Sequence, residues 1–123
     1  MPKHAVNWFE IPVTNMDRAV AFYEEMLGIT MERMTVGTPV AVFPHDEGGV
    51  GGALSLDGRE PSSAGSVVYL EVDGALQDAL DRVQGAGGEV ILPFTEIGEG
   101  YGYYAYVRDS EGNQIGLYET LEK

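Results

Sequence analysis

The chain has 123 residues, no cysteine, and seven Lys and Arg against twenty Asp and Glu, for a formal net charge of −13. That length suits one domain with a modest core; the charge repels phosphate backbones and anionic membranes, and the missing cysteines exclude disulfides, thiol nucleophiles and cysteine metal sites. No apolar run approaches the ~20 residues of a membrane span and no signal segment follows Met1-Pro2-Lys3-His4, so a cytoplasmic protein with neither a nucleic-acid nor a membrane partner is expected.

The first strand alternates, with Phe9, Ile11 and Val13 on one face and Trp8, Glu10 and Pro12 on the other. Thr14 and Asp17 have the spacing of a helix cap and its acidic partner. The helix then runs to Leu27, with Met16, Val20, Tyr23 and Leu27 as a stripe for the Phe9/Ile11/Val13 face, and Gly28 as a left-handed stop. Strands are expected over 29–36, 40–43 and 50–56, and residues 57–65 have linker composition. A strand over 66–72 follows, with Asp73 as the cap of a second helix whose stripe is Leu76, Leu80 and Val83 and whose end is Gly85, Gly87 and Gly88. Further strands are expected near 89–94, 103–108 and 114–119, with a hairpin turn over 109–113. The glycine-rich stretch 96–102 reads as a flexible loop.

The chain therefore says nearly the same thing twice, about 59 to 64 residues apart. Module one spans about 5–56 and module two 66–119, each strand–helix–strand–strand–strand. Neither half alone can bury a core, so the two must pack together. The face bearing Trp8, Glu10, Tyr69 and Glu71 is expected to look into a space between the halves.

Phe22-Tyr23-Glu24-Glu25-Met26-Leu27-Gly28, Leu70-Glu71-Val72-Asp73 and Arg108-Asp109-Ser110-Glu111-Gly112-Asn113-Gln114-Ile115-Gly116-Leu117 resemble the vicinal oxygen chelate superfamily. That superfamily includes glyoxalase I, bleomycin-resistance proteins and extradiol dioxygenases. The resemblance covers nearly the whole chain. It implies an α+β fold of two βαβββ modules related by pseudo-two-fold symmetry, an open eight-stranded barrel-like sheet, and a homodimer. Metal-using members place His or Glu on the first and last strand of each half. Alignment puts Trp8, Gly52 (or Ala53, one residue on), Val67 and Gly116 there, none of which binds a divalent ion. The expected cofactor set is therefore none.

Glu10 is the leading candidate side chain, a carboxylate mid-strand between Phe9 and Ile11. It reads either as a general acid or base, or as a structural carboxylate joining the halves. Trp8 reads as a stacking platform or a cavity filler. Tyr69 stands at the position equivalent to Glu10 in the second half, while Gln114 and Tyr118 share a face with Gly116. Tyr101, beside the glycine loop, is a candidate lid residue, whereas Tyr103, Tyr104 and Tyr106 fit strand packing. His45-Asp46-Glu47 is a weak metal pattern, because adjacent side chains diverge. The expected activity is metal-independent binding of an unidentified small molecule in an aromatic, acidic cavity. The alternatives are a lyase- or isomerase-like enzyme using Glu10, and a metal enzyme with atypical ligands.

Overall fold

The alternating and 3.6-residue patterns become ten elements in the computed structural model, which describes residues 4–72 and 75–120. They are β1 (Trp8–Pro12), α1 (Met16–Leu27), β2 (Glu32–Val36), β3 (Thr38–Val42), β4 (Gly51–Ser55), β5 (Tyr69–Glu71), α2 (Leu76–Ala86), β6 (Glu89–Glu96), β7 (Gly102–Arg108) and β8 (Gln114–Thr120). The fold is α+β, two βαβββ modules with one four-stranded sheet each, ordered β1-β4-β3-β2 and β5-β8-β7-β6. The first and last strands of each module run parallel, and the other pairs are antiparallel. The expected 29–36 strand starts only at Glu32, and the expected 66–72 strand contracts to Tyr69–Glu71. Asp73, expected to cap α2, lies outside the described residues.

Each helix covers its own sheet. Helix α1 buries Met16, Ala19, Val20, Phe22, Tyr23 and Met26, while Leu27 of the expected stripe is only partly covered. It lies across β3 and β4 rather than β1. Phe43 relays the contact, 5.5 Å from the Tyr23 ring centre and 5.6 Å from that of Phe9. Helix α2 buries Leu76, Ala79, Leu80 and Val83. Gly28 ends α1 at φ 68°, a left-handed conformation costly for a residue with a Cβ.

The cap of α1 is Asn15, not Thr14: the Asn15 side chain accepts from the Arg18 amide at 3.0 Å. Thr14 is drawn away because a carboxylate from the other module outcompetes a local cap. Glu111 Oε1 accepts from the Thr14 amide at 2.9 Å, the Thr14 hydroxyl at 3.0 Å and the Asn15 amide at 3.0 Å. Arg18 closes the site, donating through Nε to Glu111 Oε2 at 2.7 Å. A carboxylate there also meets the positive end of the helix dipole. The α2 end is treated alike, with Glu119 accepting from the Leu76 amide at 3.0 Å.

The rest of the 109–113 turn completes the joint. Tyr23 donates to Asp109 Oδ2 at 2.5 Å, with both residues buried. Burial first, and the Asp109 charge second, push the Tyr23 phenol well above its usual range, so it stays a donor. Asn113 donates through Nδ2 to the Pro12 carbonyl at 2.8 Å and accepts from the Ser62 amide at 3.0 Å. Arg82 of α2 supplies the positive charge that the last turn of α1 lacks, donating to the Glu25 and Met26 carbonyls at 2.8 Å. Among the described elements no strand backbone of one sheet runs alongside a strand of the other. The turn, the α1–α2 contact and the linker hold the modules together.

Burial pushes the Glu111 carboxyl up, but hydrogen bonds from Arg18, Thr14 and Ser110 outweigh it and bring it down to about 2. A folded-state pKa below the ordinary 4.5 stabilises the fold above pH 4.5, and that stability is lost as pH falls from 4.5 towards 2. Glu111→Gln is expected to cost about 2 kcal/mol at neutral pH, allowing for solvent screening on the half-exposed Arg18 side. The variant's melting temperature should fall less steeply than wild type's over that window in acid calorimetry; parallel curves would contradict this.

Candidate functional site

The face of the first sheet turned away from α1 is apolar at its floor and acidic at its edge. Trp8 and Glu10 of β1, Met34 and Val36 of β2, Thr38, Val40 and Val42 of β3, and Ala53 and Ser55 of β4 line a pocket of about 420 Å³ that ends at Asp57. Strand alternation produces this set, because every second residue of four adjacent strands must share a face. Ala53 lies beside Glu10 in the parallel register, while Gly52 lies beneath Phe9 on the helix side. Of the two residues that the sequence left open, Ala53 is therefore the one on the open face. A Cβ at Gly52 would sit 2.4 Å from the Phe9 ring.

Glu10 and Tyr69 line different pockets. Glu10 is exposed at the pocket edge, where Arg59 of the linker donates to its Oε1 at 2.8 Å. The same guanidinium is held by Asp57, with Nε at 2.9 Å and Nη2 at 2.7 Å from Oδ2. Hydrogen bonds from the Arg59 side chain, then its backbone amide, hold the Asp57 carboxyl at about 2. The first and last strands place no Lys or Arg at this edge, and the linker supplies the cation. One signal was available, the Asp57-Gly58-Arg59 spacing immediately after β4. Trp8 is 43% exposed and meets His45 edge to face, ring centres 6.4 Å apart, a contact that sequence did not suggest.

The second sheet carries phenols where the first carries aliphatics. Tyr69 lies over Gly116, where a Cβ would come within 2.5 Å of its ring, so only glycine permits the stack. The Tyr69 and Tyr106 hydroxyls are 2.5 Å apart; that hydrogen bond first, and partial burial second, push Tyr69 up to about 12. Tyr118 donates to the Tyr101 carbonyl, tethering the glycine loop to β8, and the Tyr101 ring is 62% exposed. Gln114 pairs with Arg108 at the start of β8, and its amide donates to the Ser62 carbonyl at 3.2 Å. Tyr103 stacks on Phe94 at 4.8 Å, as ordinary strand packing. Glu71 accepts from the Thr120 amide and hydroxyl. A wider open groove of about 1250 Å³ between the halves includes Tyr69, Phe9, Phe43 and His45. The candidate residues are thus split: Trp8 and Glu10 share one pocket, while Tyr69, Tyr101 and Tyr118 belong to the other half.

Trp8, Ala53, Val67 and Gly116, the residues on which the resemblance would place metal ligands, offer no donor for a divalent ion. Among the described residues, no group of three or more His, Asp or Glu could hold one. The donor set does not fit a metal at this site. No helix of the described residues is long and apolar enough to cross a membrane.

Arg59→Gln should let the Asp57 carboxyl rise from about 2 towards its ordinary 3.8, observed by NMR titration of its side-chain carboxyl. An unchanged titration would show that Arg59 does not set the charge at the pocket edge.

Known proteins match this geometry along the whole chain. The model of the Glyoxalase/Bleomycin resistance protein/Dioxygenase superfamily matches residues 5–117. A glyoxylase-like domain-containing protein of Didymella fabae is 27% identical over 119 residues, covering 88% of each chain. Among solved structures, a glyoxalase/bleomycin resistance protein from Albidiferax ferrireducens aligns at a TM-score of 0.73 and 16% identity, covering 94% of this chain and 99% of that one. A glyoxalase-related enzyme from Fulvimarina pelagi aligns at 0.69 and 15% identity, covering 94% and 87%. With two βαβββ modules in the matching order, the chain belongs to the Glyoxalase/Bleomycin resistance protein/Dioxygenase superfamily.

Proposed function

We propose that this chain is a metal-independent small-molecule-binding protein whose ligand lies on the open face of the first sheet. The observation that carries the reading is the pocket itself, an aliphatic floor with one indole at its side and two carboxylates, Glu10 and Asp57, at its edge. Such a surface suits a flat organic molecule that stacks on Trp8 and presents a hydroxyl or amine to Glu10. Glu10, Asp57 and Arg59 together carry one net negative charge, in a chain of net charge −13, which favours neutral or cationic ligands. Supporting a binder over a metal enzyme is the donor-poor set Trp8, Ala53, Val67 and Gly116. We also propose a homodimer, because β1, β2, β5 and β6 are sheet edges within the chain and Val36 is 67% exposed.

Trp8 is the only tryptophan, so its emission reports on the pocket directly. Saturable quenching by a flat aromatic amine is expected in wild type, and Glu10→Gln should weaken it ~10-fold or more. A variant that binds normally yet melts several degrees lower would make Glu10 a structural link instead. Incubation with Zn, Ni, Mn or Fe followed by desalting should leave well under one ion per chain. Stoichiometric retention in elemental analysis, lost on substituting a pocket residue, would overturn the metal-free reading.

A further inference from the structure

The ion pairs at the pocket edge are asymmetric. Arg59 meets Asp57 through both Nε and Nη2 and through its backbone amide, at 2.7 to 3.1 Å. It reaches Glu10 through Nη2 alone, at 2.8 Å. Losing the Glu10 contact therefore leaves Arg59 anchored in the linker, whereas losing Asp57 would release it altogether. The Arg59 guanidinium side chain is 55% exposed and that of Glu10 38%, so the contact between them is screened and weak. Glu10 also lines the pocket, next to Trp8 and the aliphatic floor, while Arg59 does not.

We infer that Arg59 is a built-in stand-in for the cationic group of the ligand, and that binding proceeds by exchange at Glu10. Before the exchange the guanidinium pairs with Glu10 and offsets its charge at the border of an apolar floor. An amidinium, guanidinium or protonated amine carried by a flat apolar body takes over Glu10 as the body settles against Trp8. Arg59 swings back onto Asp57, whose carboxylate already accepts from its Nε and backbone amide and lies 2.7 Å from its Nη2. The exchange moves no proton and breaks no covalent bond. Arg59 is thus a specificity residue. Neutral analogues of the same shape cannot compete for Glu10, and anions meet Glu10 and Asp57 at the entrance. This inference rests on the binding reading above and narrows its ligand to organic cations.

The test uses benzamidine, a flat cation, and benzamide, its neutral isostere, as probes of Trp8 emission at low salt. Wild type should bind benzamidine more tightly than benzamide. Arg59→Gln removes the competitor and should tighten benzamidine about three-fold, the scale of one exposed ion pair, leaving benzamide unchanged. Arg59→Lys, which keeps the charge, should return benzamidine affinity towards wild type. Added salt should weaken benzamidine alone. If Arg59→Gln weakens benzamidine, or tightens both probes equally, the exchange is wrong while binding on this face stands. If neither probe perturbs Trp8 in wild type or Arg59→Gln, the exchange and the binding reading fall together.

Discussion

The buried hydrogen bond from the Tyr23 hydroxyl to Asp109 sits at the centre of the joint between the two halves of this molecule. Tyr23 belongs to α1 of the first module, and Asp109 opens the β7–β8 turn of the second. Around that bond the turn places Glu111 on the start of α1 and Asn113 on the end of β1. Asp109 also organises the turn itself, accepting from the Glu111 amide at 2.9 Å and the Asn113 amide at 2.8 Å. A carboxylate buried without such donors would be strongly destabilising. Among the described residues no buried side-chain nitrogen or oxygen lacks a partner.

This joint decides where a ligand can bind. Because the modules meet through helices, turn and linker, the sheet faces remote from the helices are not consumed in holding the halves together. The two open faces have diverged chemically. The first pairs an indole with a carboxylate over aliphatic side chains, and the second is a field of phenols whose hydroxyls bond to one another and to backbone. The repeat supplies geometry twice; on the first face Glu10 lies beside an apolar floor, whereas on the second Glu71 is taken up by the Thr120 amide and hydroxyl.

The periodic features were legible in the sequence. The strand–helix repeat, the stripes of α1 and α2, the Gly28 stop and the 109–113 turn all follow from spacing of two, of 3.6, or from glycine chemistry. What was not legible depends on contacts between distant residues. Thr14 looked like a cap because its competitor, Glu111, stands 97 positions away. Glu10 looked like a carboxylate facing Tyr69 because pseudo-symmetry pairs those positions, whereas its partner, Arg59, comes from a linker with no symmetry mate, 49 positions on. Gly52 and Ala53 both stayed open because the glycine run 48–52 carries no alternation. In a strand one residue is the difference between the helix side and the open face. Packing against Phe9, visible only in three dimensions, settled it.

The central claim is that the Tyr23–Asp109 bond couples the modules, and a double-mutant cycle by urea denaturation measures that coupling directly. Tyr23→Phe, Asp109→Ala and the double variant would be compared with wild type. A buried hydrogen bond to a charged acceptor predicts a coupling energy of about 1.5–3 kcal/mol, with the double variant losing less than the two single losses combined. Losses that add to within about 0.5 kcal/mol would show that the two residues act independently. The joint would then have to reside in Glu111 and the helix contact instead.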